Sequence, residues 1–195
     1  MNTRSPLGLA AMVGLVLVLG GCNQLRGMQQ VSTARVDIKP PADQAAVVFL
    51  RAAPTGTTTS LFDLRNPEEN KFIGLLVADT RLVYFAPAGP TRFMVIGLSA
   101  NFLDAELDAG KTYQIAVIIG PNSEEHFRLQ PVRPGHTPSR VVQNCLESCI
   151  WVENTDRSMA WARGQASSIQ RKKAQYLPLW EKRPNRPVLL ASDGS

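Results

Sequence analysis

From Ala45 onward the chain runs as short apolar segments broken every few residues by turn formers. That punctuation constrains the fold more than any other feature. The segments are Val47–Leu50, Leu61–Leu64, Phe72–Val77, Arg81–Phe85, Arg92–Leu98, Phe102–Leu107, Tyr113–Ile119 and His126–Leu129. Between them lie Pro54-Thr55-Gly56, Asn66-Pro67, Pro87-Ala88-Gly89-Pro90, Asp108-Ala109-Gly110 and Gly120-Pro121-Asn122. Gly, Pro, Asn and Asp favour turns because they set or permit the backbone angles a reversal needs. No helix of about ten residues or more fits between the segments, which disfavours a layered βαβ arrangement. The spacing predicts a mainly β fold over residues 44–130, an antiparallel β-sandwich of about seven or eight strands, with an α-helix after it.

Alternation assigns faces. In Glu125-His126-Phe127-Arg128-Leu129-Gln130, Phe127 and Leu129 share one side while His126 and Arg128 share the other. Ile115, Val117 and Ile119 are apolar on one side and Ala116 and Ile118 on the second, which predicts a central strand covered on both faces.

The first residues read as an address. Arg4 precedes an apolar run from Leu7 to Leu19, too short for the about 20 residues of a spanning helix and of the length of a secretory signal core. The run ends in Leu19-Gly20-Gly21-Cys22, which resembles the lipobox of bacterial lipoproteins. The resemblance implies cleavage between Gly21 and Cys22 and a lipid on the Cys22 thiol, with residues 1–21 as signal peptide. Asn23, rather than Asp, follows the cysteine. By likeness to sorting in diderm bacteria this implies a lipid anchor in the outer membrane, facing the periplasm. Residues 22–43 then read as a lipidated tether, able to reach on the order of 70 Å when extended. Its end offers Ala34, Val36 and Ile38 as one face of an edge strand.

Apolar residues make up 44% and charged residues 19%, which excludes a disordered or multi-pass membrane chain. The three Cys and two His leave little for metal chemistry, and no cofactor or metal site is expected. His126 and His136 have no companion ligand at useful spacing. Cys145 and Cys149 form a C-x3-C pair, which in an oxidising compartment reads as a disulfide rather than a metal clip. Two positions four apart on a regular helix hold their Cβ atoms about 5–6 Å apart, against roughly 3.8 Å in a disulfide. An oxidised pair therefore predicts that the helix does not run through both. No G-x-S-x-G elbow is present, and Gly110-Lys111-Thr112 lacks the upstream glycine and the following helix of a phosphate loop.

Residues 131–153 form a Pro-rich loop followed by the C-x3-C segment, where Arg140 to Val152 reads equally as a short helix or a returning strand. Residues 154–195 read as a basic amphipathic helix and tail. Asn154 or Thr155 offers the capping oxygen. Met159, Ala162, Ala166, Ile169, Tyr176 and Trp180 make the apolar stripe, Lys173 interrupts it, and Pro178 predicts an end or kink near Tyr176 or Leu177. Residues 151–195 carry eight basic and four acidic side chains, whereas 22–150 carry twelve of each. Arg171, Lys172, Lys173, Lys182, Arg183 and Arg186 are therefore the candidates for contact with anionic lipid or an envelope protein partner. Nucleic acid is not an expected partner.

Several fragments resemble a family of small bacterial lipoproteins carrying a prealbumin-like domain of unknown function. They are Ala46-Val47-Val48-Phe49-Leu50-Arg51, Phe72-Ile73-Gly74-Leu75-Leu76, Tyr84-Phe85-Ala86-Pro87-Ala88-Gly89-Pro90-Thr91 and Leu107-Asp108-Ala109-Gly110-Lys111-Thr112-Tyr113. Trp180-Glu181-Lys182 with Leu189-Leu190 is a further echo. The chain departs from the family's pattern where Pro90-Thr91 follows Gly89 without a nearby His. The resemblance implies a prealbumin-like sandwich and an envelope address, and no catalytic residues. The expected role is a non-enzymatic binding or assembly module for another envelope component. The alternatives are a hydrolase of envelope polymers, or a glycan or small-ligand binder using Trp151, Trp161 and Trp180.

Overall fold

Residues Ala45 to Ala52 are all buried, so this segment is covered on both faces and must lie inside a sheet. The computed structural model, which describes residues 25–52, 57–121 and 126–195, places it there. The strands are β1 (Gln29–Val31), β2 (Gln44–Arg51), β3 (Thr59–Asp63), β4 (Lys71–Leu76), β5 (Thr80–Pro87), β6 (Gly89–Ile96), β7 (Ala100–Leu107), β8 (Thr112–Ile119), β9 (Phe127–Pro131), β10 (Ile150–Glu153) and β11 (Val188–Leu189). The helices are α1 (Arg140–Ser148), α2 (Asp156–Gly164) and α3 (Ala166–Glu181). Two sheets face each other, a six-stranded sheet A in the order β1-β10-β5-β2-β8-β9 and a five-stranded sheet B in the order β11-β7-β6-β3-β4.

The sandwich is as expected, but the purely antiparallel reading is corrected. Both sheets are mixed. β2 runs parallel to β8, β10 parallel to β5, and β11 parallel to β7. Alternation reports which face a side chain takes, not the direction of the neighbouring strand. Hairpins such as β6–β7 follow from their turns, whereas β2 and β8 meet only after the chain has passed through sheet B. The described residues also contain more strands than seven or eight. The additional ones, β1, β10 and β11, have three, four and two residues, too short to show a period.

Period two explains how one strand serves two cores. Val47 and Phe49 of β2 point between the sheets, where Phe49 meets Phe93 edge-on at 5.1 Å between ring centres. Leu50 points outward, against Val142 and Cys145 of α1 and Cys149 just beyond it. Sheet B has its own outer cover, with Phe62, Met94 and Phe102 packed against Ile169 and Trp180 of α3. At the tight β7–β8 connection Gly110 has φ +77°, a conformation that a side chain disfavours.

Part of the segment read as a tether belongs to the sandwich. Gln29–Val31 pairs with β10, and Met28 is buried among core residues. The expected edge strand at Ala34, Val36 and Ile38 is not formed, because residues Thr33–Arg35 make a 3-10 turn instead. The ambiguous stretch after Arg140 contains both of its readings, helix α1 and then strand β10. Cys145 and Cys149 are joined by a disulfide with 4.6 Å between Cα atoms. Helix α1 stops at Ser148 and Cys149 is already extended, as an i,i+4 bridge demands.

The single C-terminal helix is also corrected. It divides at Gln165, after Gly164, a weak helix former. Thr155 caps α2, with Ser158 answering it in a capping box. Pro178 does not end α3, which continues to Glu181. The final turn buries Trp180 to 1% exposure against Phe102, and that apolar gain offsets the missing backbone bond.

Candidate functional site

The basic residues that stand together in sequence do not stand together in space. Lys172 donates to the Gly97 carbonyl at 2.5 Å and Lys173 to the Pro67 carbonyl at 2.7 Å. Lys173 is buried, so the side chain that interrupts the apolar stripe in sequence is tucked beneath α3. Desolvation lowers both ammonium pKa values from their ordinary range. These two candidates fasten α3 to sheet B. Arg171 and Lys182 are exposed on α3 and just beyond it.

Arg183 and Arg186 lie elsewhere. They line a groove of about 660 Å³ together with Arg128 of β9 and Arg133 of the following loop. Among the described residues every charged residue lining it is an arginine. Its remaining walls include Asn101, Gln130, Pro184 and Pro187. The groove follows from topology. β9 is the outermost strand of sheet A, and the tail returns past it to add β11 to sheet B.

Arg133 and Arg186 are anchored by bonds to the tail and to α3. Arg133 donates through Nε to both Asp193 carboxylate oxygens at 3.2 Å and through Nη2 to the Val188 carbonyl at 2.9 Å. Arg186 donates to the Glu181 carbonyl at 2.9 Å, lies 4.0 Å from Asp104 and rests over the Trp180 ring at 5.1 Å. Arg92 also lies over that indole, at 4.9 Å, and is 2.6 Å from Asp104 and 2.7 Å from Glu181. Burial opposes its charge, but the two carboxylates outweigh burial and hold its pKa above the ordinary value. Arg128 is exposed.

A second depression of about 340 Å³ sits on the opposite flank, beside β1 and β10. Its charged groups, Arg35, Asp37 and Glu153, are of both signs. Glu153 accepts from the Gln29 side chain. The three tryptophans form no common platform. Trp151 lies under Arg81 at 4.3 Å, Trp180 is the α3 seam, and Trp161 on α2 is 38% exposed with Phe72 at 6.1 Å.

The strongest acid-base cluster is structural. Asp63 of β3, 3% exposed, accepts from Tyr84 at 2.9 Å, Thr91 at 2.5 Å and the Arg65 amide at 2.8 Å. Burial and the Asp63 charge push the Tyr84 hydroxyl well above its usual range, so it stays a neutral donor. Tyr84 is on sheet A and Asp63 on sheet B, so the pair ties the sheets together with its oxygens already engaged. A buried arginine at the end of β2 does similar work. Arg51 donates to the Thr57 carbonyl and to Thr59, covers the Phe127 ring at 4.1 Å, and is pushed down by burial to about 10. Among the described residues no group of three or more His, Cys, Asp or Glu could hold a metal ion, and no helix is long and apolar enough to cross a membrane.

Sequence reasoning missed Arg128 and Arg133 as site residues. Alternation had put Arg128 on the outer face of its strand, but neither belongs to a run of basic residues. Gly21 and Cys22 lie outside the described residues.

No protein-family model and no curated protein matches the sequence. An NMR structure of a protein from Eubacterium rectale is similar over 49% of this chain and 94% of its own, at 10% identity and a TM-score of 0.33. That likeness is too slight to say anything about activity.

Proposed function

We propose that the chain is a lipid-anchored envelope lipoprotein, held at the periplasmic face of the outer membrane through Cys22, that acts as a non-catalytic binding or assembly module for an anionic envelope component. One observation carries the binding half of this reading. Separate parts of the chain, β9, the loop after it and the tail after α3, each contribute arginine to one groove whose lining, among the described residues, has no acidic side chain. Arginines gathered this way attract carboxylate or phosphate groups, and the guanidinium fork holds them in a fixed orientation. The address half rests on the Leu19-Gly20-Gly21-Cys22 sequence and on the fragments that resemble prealbumin-like lipoproteins.

Photocrosslinking in cells tests it. A crosslinker at Gln130 or Asn185, inside the groove, is expected to capture one abundant envelope component. The same group at Arg171 or Lys182, outside it, is expected to capture much less. Arg128→Glu should abolish the groove adduct, and Cys22→Ser should abolish both lipid labelling and the adduct. Equal capture from all positions, or none from the groove, rejects the binding reading. Lipid labelling that survives Cys22→Ser rejects the anchor.

A further inference from the structure

The hydrogen bonds of β9 fix which of its backbone groups face the groove. Val132 N–H donates to the Gln114 carbonyl at 2.9 Å, and Gly120 N–H donates to the His126 carbonyl at 3.0 Å. Both pairs keep the antiparallel register that sets Ile115 opposite Pro131 and Ile119 opposite Phe127. Bonded and non-bonded pairs alternate along an antiparallel ladder. His126, Arg128, Gln130 and Val132 therefore turn their backbone groups to β8. Phe127, Leu129 and Pro131 turn theirs the other way. β9 is an edge strand, and among the described residues none of those outward groups has a hydrogen-bond partner.

We infer that this edge accepts an extended, acidic segment of a partner protein, added to sheet A as a further strand beside β9. The inference rests on the proposed binding role and specifies its geometry. Backbone groups of Phe127 and Leu129 supply the pairing, and Pro131 offers only a carbonyl, which limits the added strand to the length of β9. Arg128 and Gln130 flank the added strand on the outer face of sheet A. Arg183 and Arg186 face it from the tail side of the groove. Acidic side chains are favoured on the outer face, beside Arg128, and an alternating strand places all of its acidic residues on one face. A second copy of this chain is disfavoured, because β9 against β9 would bring two arginine-bordered edges together, and like charges across a strand pair repel.

The test fuses a flexible Gly-Ser linker and the strand Glu-Thr-Glu-Thr-Glu-Thr-Glu to Ser195 of the full chain. Ser195 is a suitable start, because nearby Asp193 is bound to Arg133 in the groove wall. A short flexible tether supplies an effective concentration in the millimolar range. Hydrogen exchange at the Phe127 and Leu129 amides should then slow about tenfold, as expected where effective concentration is ten times Kd. The Arg128 and Gln130 amides, already bonded to β8, should change little and report that the sheet is intact. Arg128→Glu should reverse the slowing, and a Lys-Thr strand of the same length should give none. Equal slowing with the Lys-Thr strand overturns the charge selection. Unchanged exchange with the acidic strand overturns strand addition. If the crosslink from Gln130 still depends on Arg128 in that case, the arginine groove stands and only the strand geometry falls.

Discussion

The two flanks of the sandwich are closed by opposite means. On one, the chain before β2 folds back over the gap between the sheets. Met28 enters the core at 7% exposure, and the Gly27 carbonyl accepts from Thr155, the residue that caps α2. Asn154 donates to the Ile73 carbonyl at 2.8 Å and ties the same corner to sheet B. The charges there are of both signs. On the other flank the tail adds the two-residue β11 to sheet B, Ser195 exchanges backbone hydrogen bonds with Thr112 of sheet A, and the β9 edge beside them is left bordered by arginines. The first flank is sealed by apolar burial and backbone bonds. The second is tied by backbone bonds of the tail but leaves a groove beside β9 whose charged lining, among the described residues, is all arginine.

Substitutions should separate the two roles. The largest loss is expected from Trp180→Ala, which empties the seam between α3 and sheet B and releases both Arg92 and Arg186. A cost of about 3–5 kcal/mol, read from a denaturant midpoint, follows from the size of the cavity. A loss below about 1 kcal/mol would mean that α3 is not needed to hold the tail beside the groove. Met28→Ala should cost about 2–5 kcal/mol on the sealed flank, whereas Arg128→Glu on the open one should stay within about 0.5 kcal/mol. If Arg128→Glu destabilised as much as Met28→Ala, the open flank would be a structural closure like the other.

The smallest effect concerns pH. His126 lies tilted against the Phe127 ring at 4.1 Å between centres and accepts from the Leu98 amide at 3.4 Å. Burial first, then the charges of Arg51 and Lys172, lower its pKa below 6.5. The unfolded chain then binds more protons than the folded one as pH falls past that value, so the native state loses stability on acidification. His126→Gln should flatten the stability profile between about pH 7 and pH 5, measured by thermal unfolding. An unchanged slope would place the pH dependence elsewhere.

The eight apolar runs read in the sequence all coincide with strands β2 to β9. They are legible because period-two burial and turn residues are local properties. Phe127 and Leu129 could be assigned to the core from their spacing alone. Strand direction was not legible, since Ala46 beside Thr112 is a contact that no local pattern encodes. The basic cluster misled for a related reason. Lys172 and Lys173 sit within a turn of helix that packs on carbonyls of two loops, and sequence shows neither carbonyl. The groove was invisible because its arginines come from positions 128, 133, 183 and 186, brought together only by the returning tail.

The pairing of β1 with β10 also orders events in time. Gln29 has its partner in Glu153, and β7 completes its outer side only with Val188 and Leu189. A chain made from its amino end therefore holds β1, and the outer side of β7, without partners until its last quarter exists. Such distant pairings form slowly, because the intervening loop must close before any contact rewards it. Truncation near residue 145 would then leave not a smaller sandwich but one with additional raw edges, and aggregation rather than partial function is its natural fate.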